Sequence, residues 1–138
     1  MRTRRIVPVL ALLWVVAALP ARAQEPTPQP VGFATYYVCD QTQEARADTI
    51  VTEVFASVFD RLLSEGKIVS WFWNAHQVGG KWRRLGGFYA SDMTALFEAR
   101  AELLQEIQQD HPDEAVEFNS ICYSHDDYVW RSIVSKPQ

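Results

Sequence analysis

The residues whose types and spacing would suit catalysis or ligand binding lie around the glycine pair at 79–80. Asn74 and His76 come shortly before that pair, Arg83 comes shortly after it, and Tyr89 follows six residues later. Histidine titrates near neutrality and serves as acid, base or metal ligand, while arginine and asparagine can orient an anionic or carbonyl group. These four are the candidate catalytic residues. The pattern favours an alternative, in which His76 and Arg83 lie near solvent at a hairpin end and Asn74 bonds across the strands.

A second polar set, His125-Asp126-Asp127, combines one imidazole with two carboxylates. Adjacent residues on a strand point to opposite faces, so they cannot all converge on one ion. We interpret the set as an acidic turn after the fourth strand, with Asp126 bonding its own backbone. Two cysteines without paired spacing also make a poor zinc site, so we predict no metal.

The first 23 residues have the three parts of a secretory signal peptide. Residues 1–5 carry three arginines, an apolar run covers residues 6–19, and Ala21 and Ala23 form a small-x-small cleavage site. The run is shorter than the ~20 residues that span a membrane, and no later stretch is long enough. We therefore predict export to the periplasm or the exterior, cleavage after Ala23 and no membrane span afterwards.

Cleavage also changes the charge balance. It would remove four of the 13 basic residues and none of the 17 acidic ones, so the net charge would become −8 in place of −4. A nucleic-acid-binding protein needs a basic surface to neutralise phosphates, and this balance argues against that function. The predicted segments are a signal peptide at 1–23, a proline-rich leader at 24–32, one domain at 33–131 and a tail at 132–138.

Both cysteines, Cys39 and Cys122, belong to the predicted domain. An even number of cysteines in an exported protein favours a disulfide. Closing a loop of about 83 residues would stabilise the fold by about 4 kcal/mol on the chain-entropy model. The alternative is a pair of independent buried thiols.

The period of the apolar residues predicts the secondary structure. Strands are predicted at 33–39, 68–78, 82–90 and 117–123, with 128–134 as an extension or a short edge strand. Apolar residues three or four apart predict helices from Asp48 to the region before Gly66 and from Ser91 to the region before Asp110. Asp48 or Thr49 would cap the first helix and Ser91 the second. The β-α-β-β-α-β order predicts an α+β, ferredoxin-like fold, a four-stranded antiparallel sheet with two helices on one face.

A two-residue turn at 79–80 sets the register of the central hairpin and sorts its side chains into two faces. The more apolar face, assigned to the helices, carries Val69, Trp71, Trp73, Ala75, Arg84, Gly86 and Phe88. The opposite face, here called the open face, carries Ser70, Phe72, Asn74, His76, Arg83, Leu85 and Tyr89. Of these, Ser70, Phe72 and Leu85 are the candidate ligand-binding residues. So much apolar surface is unusual on a monomer and predicts a homodimer that packs through the open face.

The element order and the two-faced sheet over residues 33–131 resemble the dimeric α/β-barrel superfamily, a ferredoxin-like group that includes antibiotic-biosynthesis-type monooxygenases. The resemblance rests on pattern, since the superfamily has no diagnostic motif. It implies a ligand site in the cleft between the open face and its partner. It assigns no role to individual residues.

Three functions are compatible with these features. The favoured one is a non-catalytic, exported, dimeric domain that binds a small or hydrophobic molecule or a partner protein. The second is an oxygenase-like enzyme acting on a planar or hydrophobic substrate around the four candidate catalytic residues. The third is a structural or stress-protective envelope protein. The aromatic content would suit a planar ligand such as haem, but any core needs large side chains, so no cofactor is predicted.

Overall fold

The computed structural model describes residues 29–133, so the predicted signal peptide lies outside the described residues. Its strands are β1 (Val31–Val38), β2 (Ser70–Ala75), β3 (Arg84–Ala90) and β4 (Ser124–Arg131). Its helices are α1 (Glu44–Ile50), α2 (Ala56–Ser64), α3 (Met93–Asp110) and α4 (Pro112–Ile121). The four strands form one antiparallel sheet in the order β2-β3-β1-β4. The predicted α+β, ferredoxin-like fold is thereby confirmed.

The first helical segment starts earlier than the sequence pattern indicates. Helix α1 begins at Glu44 and continues through a π-helical turn, Val51–Phe55, into α2. Neither Asp48 nor Thr49 caps it, so that prediction was wrong. The carboxylate of Asp48 instead accepts hydrogen bonds from side chains of the sheet, a long-range use that local spacing does not reveal. The predicted end is confirmed, because Gly66 has a φ of +71° just after the helix.

The central hairpin has the predicted register. Ser70 pairs with Tyr89 and Asn74 with Leu85, and the backbone N–H of His76 donates to the carbonyl of Arg83 at 3.0 Å. Both glycines of the 79–80 pair have positive φ angles, which side-chain-free residues adopt without strain. The strands are shorter than predicted, because the regular pairing ends at Ala75 and Arg84.

The second long helix, α3, ends at Asp110, where Pro112 predicts an end. Its cap is one residue later than predicted. Asp92, not Ser91, accepts a hydrogen bond from the backbone N–H of Ala95 at 2.9 Å. Serine and aspartate both cap helices, so the sequence does not distinguish Ser91 from Asp92. The backbone geometry determines which of the two is the cap.

The prediction of a fourth strand at 117–123 was wrong. This segment belongs to α4, which starts at Pro112 with Asp113 and Glu114 in its first turn. Proline at the first position and acids in the first turn favour a helix start, so Pro112 ends one helix and begins another. The fourth strand is β4, and His125-Asp126-Asp127 therefore lie in a strand and not in an acidic turn.

The helices cover the predicted apolar face of the sheet. Phe88 is 1% exposed, and the rings of Trp71 and Trp73 pack against the two core clusters. Val69 and Ala75, at the ends of β2, are exposed although they were assigned to the covered face. The alternation of side chains along the hairpin therefore predicts correctly which residues the helices cover in the middle of the strands. It fails at the ends of the strands, which the helices do not reach.

The predicted disulfide is present: Cys39 and Cys122 are bonded, and both side chains are buried. The bond joins the residue after β1 to the residue after α4. Beside it, the backbone N–H of Asp40 donates to the carbonyl of Ile121 at 2.9 Å. The two links hold α4 against the end of the central strand. Within residues 29–133, no helix has the length and apolar character that crossing a membrane requires.

Candidate functional site

A cavity of about 200 Å³ lies between the sheet and the helices and is here called the helix-side cavity. Its walls are mainly aromatic and aliphatic, and come from β1, β2, β3, the helices and the π-helical turn. The apolar lining side chains include Phe33, Tyr37, Val51, Phe55, Phe59, Trp73, Phe88, Leu103, Leu104, Ile107 and Phe118. Such a lining is typical of sites for small apolar ligands.

Glycines in β3 explain how the sheet forms the cavity floor. A Cβ atom on Gly86 would lie 2.7 Å from the ring of Trp73, so only glycine allows that ring to lie flat on the strand. A Cβ atom on Gly87 would clash with the backbone oxygen of Phe33 and with the ring of Phe72. The two glycines therefore let large rings from neighbouring strands occupy the space that ordinary side chains would fill.

The mouth of the cavity opens between α3, α4 and β4. Arg100, Leu104 and Gln108 are four residues apart on α3, so they follow one side of that helix. His125 and Asp127 project from β4 on the other side of the mouth. The lining is therefore mainly apolar, and most of its polar side chains lie where the cavity meets solvent.

Hydrogen bonds join the polar residues at the mouth into one cluster. The hydroxyl of Thr35 donates to Oδ1 of Asp127 at 2.7 Å, and Nη2 of Arg100 donates to Oδ2 at 2.8 Å. The guanidinium of Arg100 also lies 5.1 Å from the centre of the Phe33 ring, a distance at which a cation is attracted to the ring face. The cluster holds Arg100 in place across the mouth.

Tyr37 supplies a protonated hydroxyl inside the cavity. Burial raises the pKa of Tyr37 to about 12, although a hydrogen bond with the Thr35 side chain opposes the shift. The phenol is therefore neutral throughout the physiological range, and it can donate a hydrogen bond but does not act as a phenolate base. Its ring also packs against His125, with ring centres 5.9 Å apart.

An ionic cluster supports the wall beside Trp73. The side chain of Arg84, 7% exposed, donates to Asp48 at 2.7 Å and to Glu44 at 3.0 Å, and Trp73 Nε1 donates to Asp48 at 2.8 Å. Hydrogen bonding from Arg83 lowers the pKa of Glu44 against the effect of burial. Burial by itself would raise the pKa of Asp48, but the hydrogen bonds from Arg84 and Trp73 outweigh it and the pKa is lowered.

The four candidate catalytic residues do not come together at one point. Asn74 and His76 line a smaller, separate space of about 70 Å³ with Tyr36, Trp82 and Leu85, here called the open-face cleft. Nδ1 of His76 lies 2.7 Å from the backbone oxygen of Trp82. The other two are engaged elsewhere: Arg83 pairs with Glu44 at 2.7 Å, and the ring of Tyr89 packs edge-on against Trp130.

The three candidate ligand-binding residues also separate. Leu85 lines the open-face cleft, whereas Phe72, whose ring lies over Gly87, is among the residues around the helix-side cavity. Ser70 lines neither space and is exposed. The catalytic and ligand-binding assignments from sequence remain predictions.

The sequence patterns did not identify the polar cluster at the mouth. Thr35 and Asp127 face each other across β1 and β4, 92 residues apart, and Arg100 reaches Asp127 from α3. The set His125-Asp126-Asp127 was interpreted as a turn. In a strand, side chains alternate, so His125 and Asp127 lie on the same face of the sheet. Assigning these residues to a strand would therefore have predicted that His125 and Asp127 lie together. Among residues 29–133, no group of three or more His, Cys, Asp or Glu side chains is placed to hold a metal ion.

The fold is similar to several solved structures. A NIPSNAP family protein from Agrobacterium tumefaciens matches with a TM-score of 0.56 at 11% identity, over 75% of this chain and 86% of that chain. A dimeric ferredoxin-like protein from an uncultured marine organism matches with a TM-score of 0.63 at 8% identity, over 80% and 93%. SnoaB, a cofactor-independent oxygenase from Streptomyces nogalater, matches with a TM-score of 0.57 at 13% identity, over 80% and 99%.

No family model matches the sequence, and no curated protein matches it either. At these identities the structural likeness shows the fold alone. The chain therefore has the ferredoxin-like fold of these proteins, which confirms the resemblance to the dimeric α/β-barrel superfamily at the level of architecture. Its particular activity has to be argued from its own side chains.

Proposed function

We propose that the protein is an exported, dimeric binding module whose ligand is a small aromatic molecule held in the helix-side cavity. The observation that carries the proposal is a cavity of about 200 Å³ whose lining is mainly aromatic and aliphatic, with Arg100, His125 and Asp127 at its mouth. Burying apolar surface drives binding to such a space, and the polar mouth would orient the ligand.

The volume indicates the size of the ligand. A cavity of roughly 150 Å³ in another protein accommodates benzene, and the helix-side cavity measures about 200 Å³. A single ring or two fused rings would fill it. This size favours a ligand much smaller than haem, and the prediction of no cofactor stays untested.

A calorimetric titration with naphthalene tests the proposal. We expect saturable one-to-one binding to the wild-type protein. Leu104→Trp should weaken this binding at least about tenfold, because Leu104 lines the mouth and a larger ring would occupy it. Leu63→Trp is the matched control, since Leu63 is equally exposed, at 40% against 39%, and lies outside the cavity lining. An equal loss of naphthalene binding in both variants would reject the proposal.

Export is supported by the tripartite start of the sequence and is compatible with the Cys39–Cys122 disulfide. Disulfides persist mainly in oxidising compartments. The intact mass of the protein purified from its natural compartment tests export. We expect a chain that starts at Gln24 and lacks two hydrogens relative to the reduced form. A full-length or reduced chain would contradict this part of the proposal.

Dimerisation is supported by the aromatic side chains on the open face. Tyr36 packs edge-on against Tyr128, and Tyr89 against Trp130, with ring centres 5.2 and 5.8 Å apart. None of the helices covers this side of the sheet, and solved relatives in fold include proteins described as dimeric. Two copies packed sheet against sheet would remove this surface from water.

An oxygenase-like activity is the second candidate, favoured by the likeness in fold to SnoaB together with a mainly apolar cavity. Oxygen consumption in the presence of an aromatic substrate tests it. His76→Ala separates the two possible locations: loss of turnover would favour the open-face cleft, and unchanged turnover would favour the helix-side cavity. Binding without oxygen consumption would leave the binding module as the function.

A further inference from the structure

The side chain of Arg100 is an oriented cation with unused hydrogen-bond donors at the mouth of the helix-side cavity. Only its Nη2 donates to an acceptor, Asp127, among the residues that the structure describes. The other arginines in ion pairs place at least two nitrogens each on acceptors; these are Arg46, Arg61, Arg83 and Arg84. Arg100 therefore retains donors on Nε and Nη1.

The surroundings of Arg100 restrict where its guanidinium can go. Asp127 fixes one edge of the group, and the face of the Phe33 ring lies 5.1 Å away. The side chain is 35% exposed, so it is neither free in solvent nor sealed in the core. A guanidinium held in this way loses little further entropy when it binds another acceptor.

Asp127 does not accept hydrogen bonds from Nε or Nη1 of Arg100. Its two oxygens already accept from Thr35 and Arg100, one each. A ligand oxygen would therefore meet Nε or Nη1 of Arg100 and not displace the existing pair. Hydrogen bonds from a charged donor to a carboxylate are stronger than those between neutral groups.

We infer that the ligand of the helix-side cavity is an aromatic acid of one or two rings, whose rings enter the apolar space and whose carboxylate is bound by Arg100 at the mouth. This inference rests on the proposed function and adds the chemical class of the ligand. Arg100 is the residue that determines the preference for an acid over the parent hydrocarbon. The net negative charge of the chain makes a local cation necessary for attracting an anion.

Calorimetric titration of the purified protein with 2-naphthoate and with naphthalene tests this assignment. We expect 2-naphthoate to bind about 10- to 100-fold more tightly than naphthalene, which is the range that a hydrogen bond to a charged group contributes. A cationic probe of the same size, 2-naphthylmethylammonium, should bind more weakly than either.

Variants show whether Arg100 causes the preference. In Arg100→Gln the affinity ratio of the two probes should fall to about one, and Arg100→Lys should restore part of it because the positive charge remains. Arg46→Gln is the matched control, since Arg46 pairs with Glu117 outside the cavity and its loss should leave the ratio unchanged. A circular dichroism spectrum confirms that each variant is folded.

The outcomes distinguish the binding of an aromatic ligand from the preference for an acid. Equal affinity for 2-naphthoate and naphthalene in the wild-type protein, or a preference that survives Arg100→Gln, would overturn the assignment of an acid while the binding proposal stands. Failure of all the probes to bind would overturn the proposed function and this inference with it.

Discussion

The two faces of the sheet are made by the same strands but have different physical characters. On the helix-covered face, Phe33, Tyr37 and Phe88 line a cavity of about 200 Å³. On the open face, Tyr36 and Leu85 border a cleft of about 70 Å³, beside which Asn74 and His76 are exposed. Neighbouring residues in one strand thus belong to a cavity wall and to an outer surface.

The difference shows that polar residues near one another in sequence need not make a site. Asn74, His76 and Arg83 are close in sequence and were all predicted on the open face. However, Arg83 pairs with Glu44 of α1, on the helix-covered side, and His76 lies beside a backbone carbonyl. The polar cluster of the helix-side cavity comes from three distant elements and surrounds an apolar space. The larger volume of the helix-side cavity, about 200 Å³ against about 70 Å³, separates the two regions more than the inventory of polar residue types does.

The largest expected effect compares neighbouring residues on opposite faces. Phe88→Ala should lower the free energy of unfolding by about 3–5 kcal/mol, because it removes a buried ring and leaves a cavity. Tyr89→Ala, on the open face, should cost less than half as much. Urea unfolding at protein concentrations too low for self-association measures both. Equal losses would mean that the open face is part of the core of the monomer.

A smaller effect tests whether the open face is covered by a second copy. Leu85→Glu should raise the dissociation constant of the dimer about 10- to 100-fold, since it places a charge in an apolar contact; tenfold corresponds to about 1.4 kcal/mol. Leu63→Glu, on the outer side of α2, is the control and should leave self-association unchanged. Sedimentation equilibrium provides the measurement. A wild-type protein that stays monomeric at millimolar concentration would contradict the proposed dimer.

The smallest expected effect is on the stability of the protein at acid pH, and it again compares the two faces of the sheet. The pKa values of Glu44 and Asp48 are lowered in the folded protein, so both carboxylates bind protons more readily when the chain is unfolded. Their contribution to stability is fully present above about pH 5 and is lost as the pH falls through their folded pKa values. The contribution of Asp48 to stability is limited because its side chain is partly exposed to solvent.

Asp48→Asn should therefore make the fall in stability below pH 5 shallower, as measured by urea unfolding at a series of pH values. Asp126→Asn is the control on the open face, where Asp126 has no ion pair among residues 29–133. This control should keep the wild-type slope. The same change of slope in both variants would show that the acid response is not specific to the ionic cluster beside Trp73.

Local patterns predicted much of the fold, and the errors have physical causes. The glycine pair at 79–80 predicted the hairpin register, because alternation and turn geometry are local properties. The segment 117–123 was predicted to be a strand, but its residues up to Ile121 belong to α4. The helix-start signals at Pro112 and Asp113 were present, but Pro112 was interpreted only as the end of α3. This error displaced β4 and hid the facing positions of His125 and Asp127.

The sequence by itself predicted the ferredoxin-like fold class, the register of the central hairpin and a Cys39–Cys122 disulfide, since these follow from periodicity, turn chemistry and cysteine count. Only the tertiary structure decided where a cavity lies and which polar groups border it. Thr35, Arg100 and Asp127 come from three separate elements, and their meeting depends on how α3 and β4 pack around β1. Packing of this kind depends on the shapes of all the side chains together, so no local pattern encodes it.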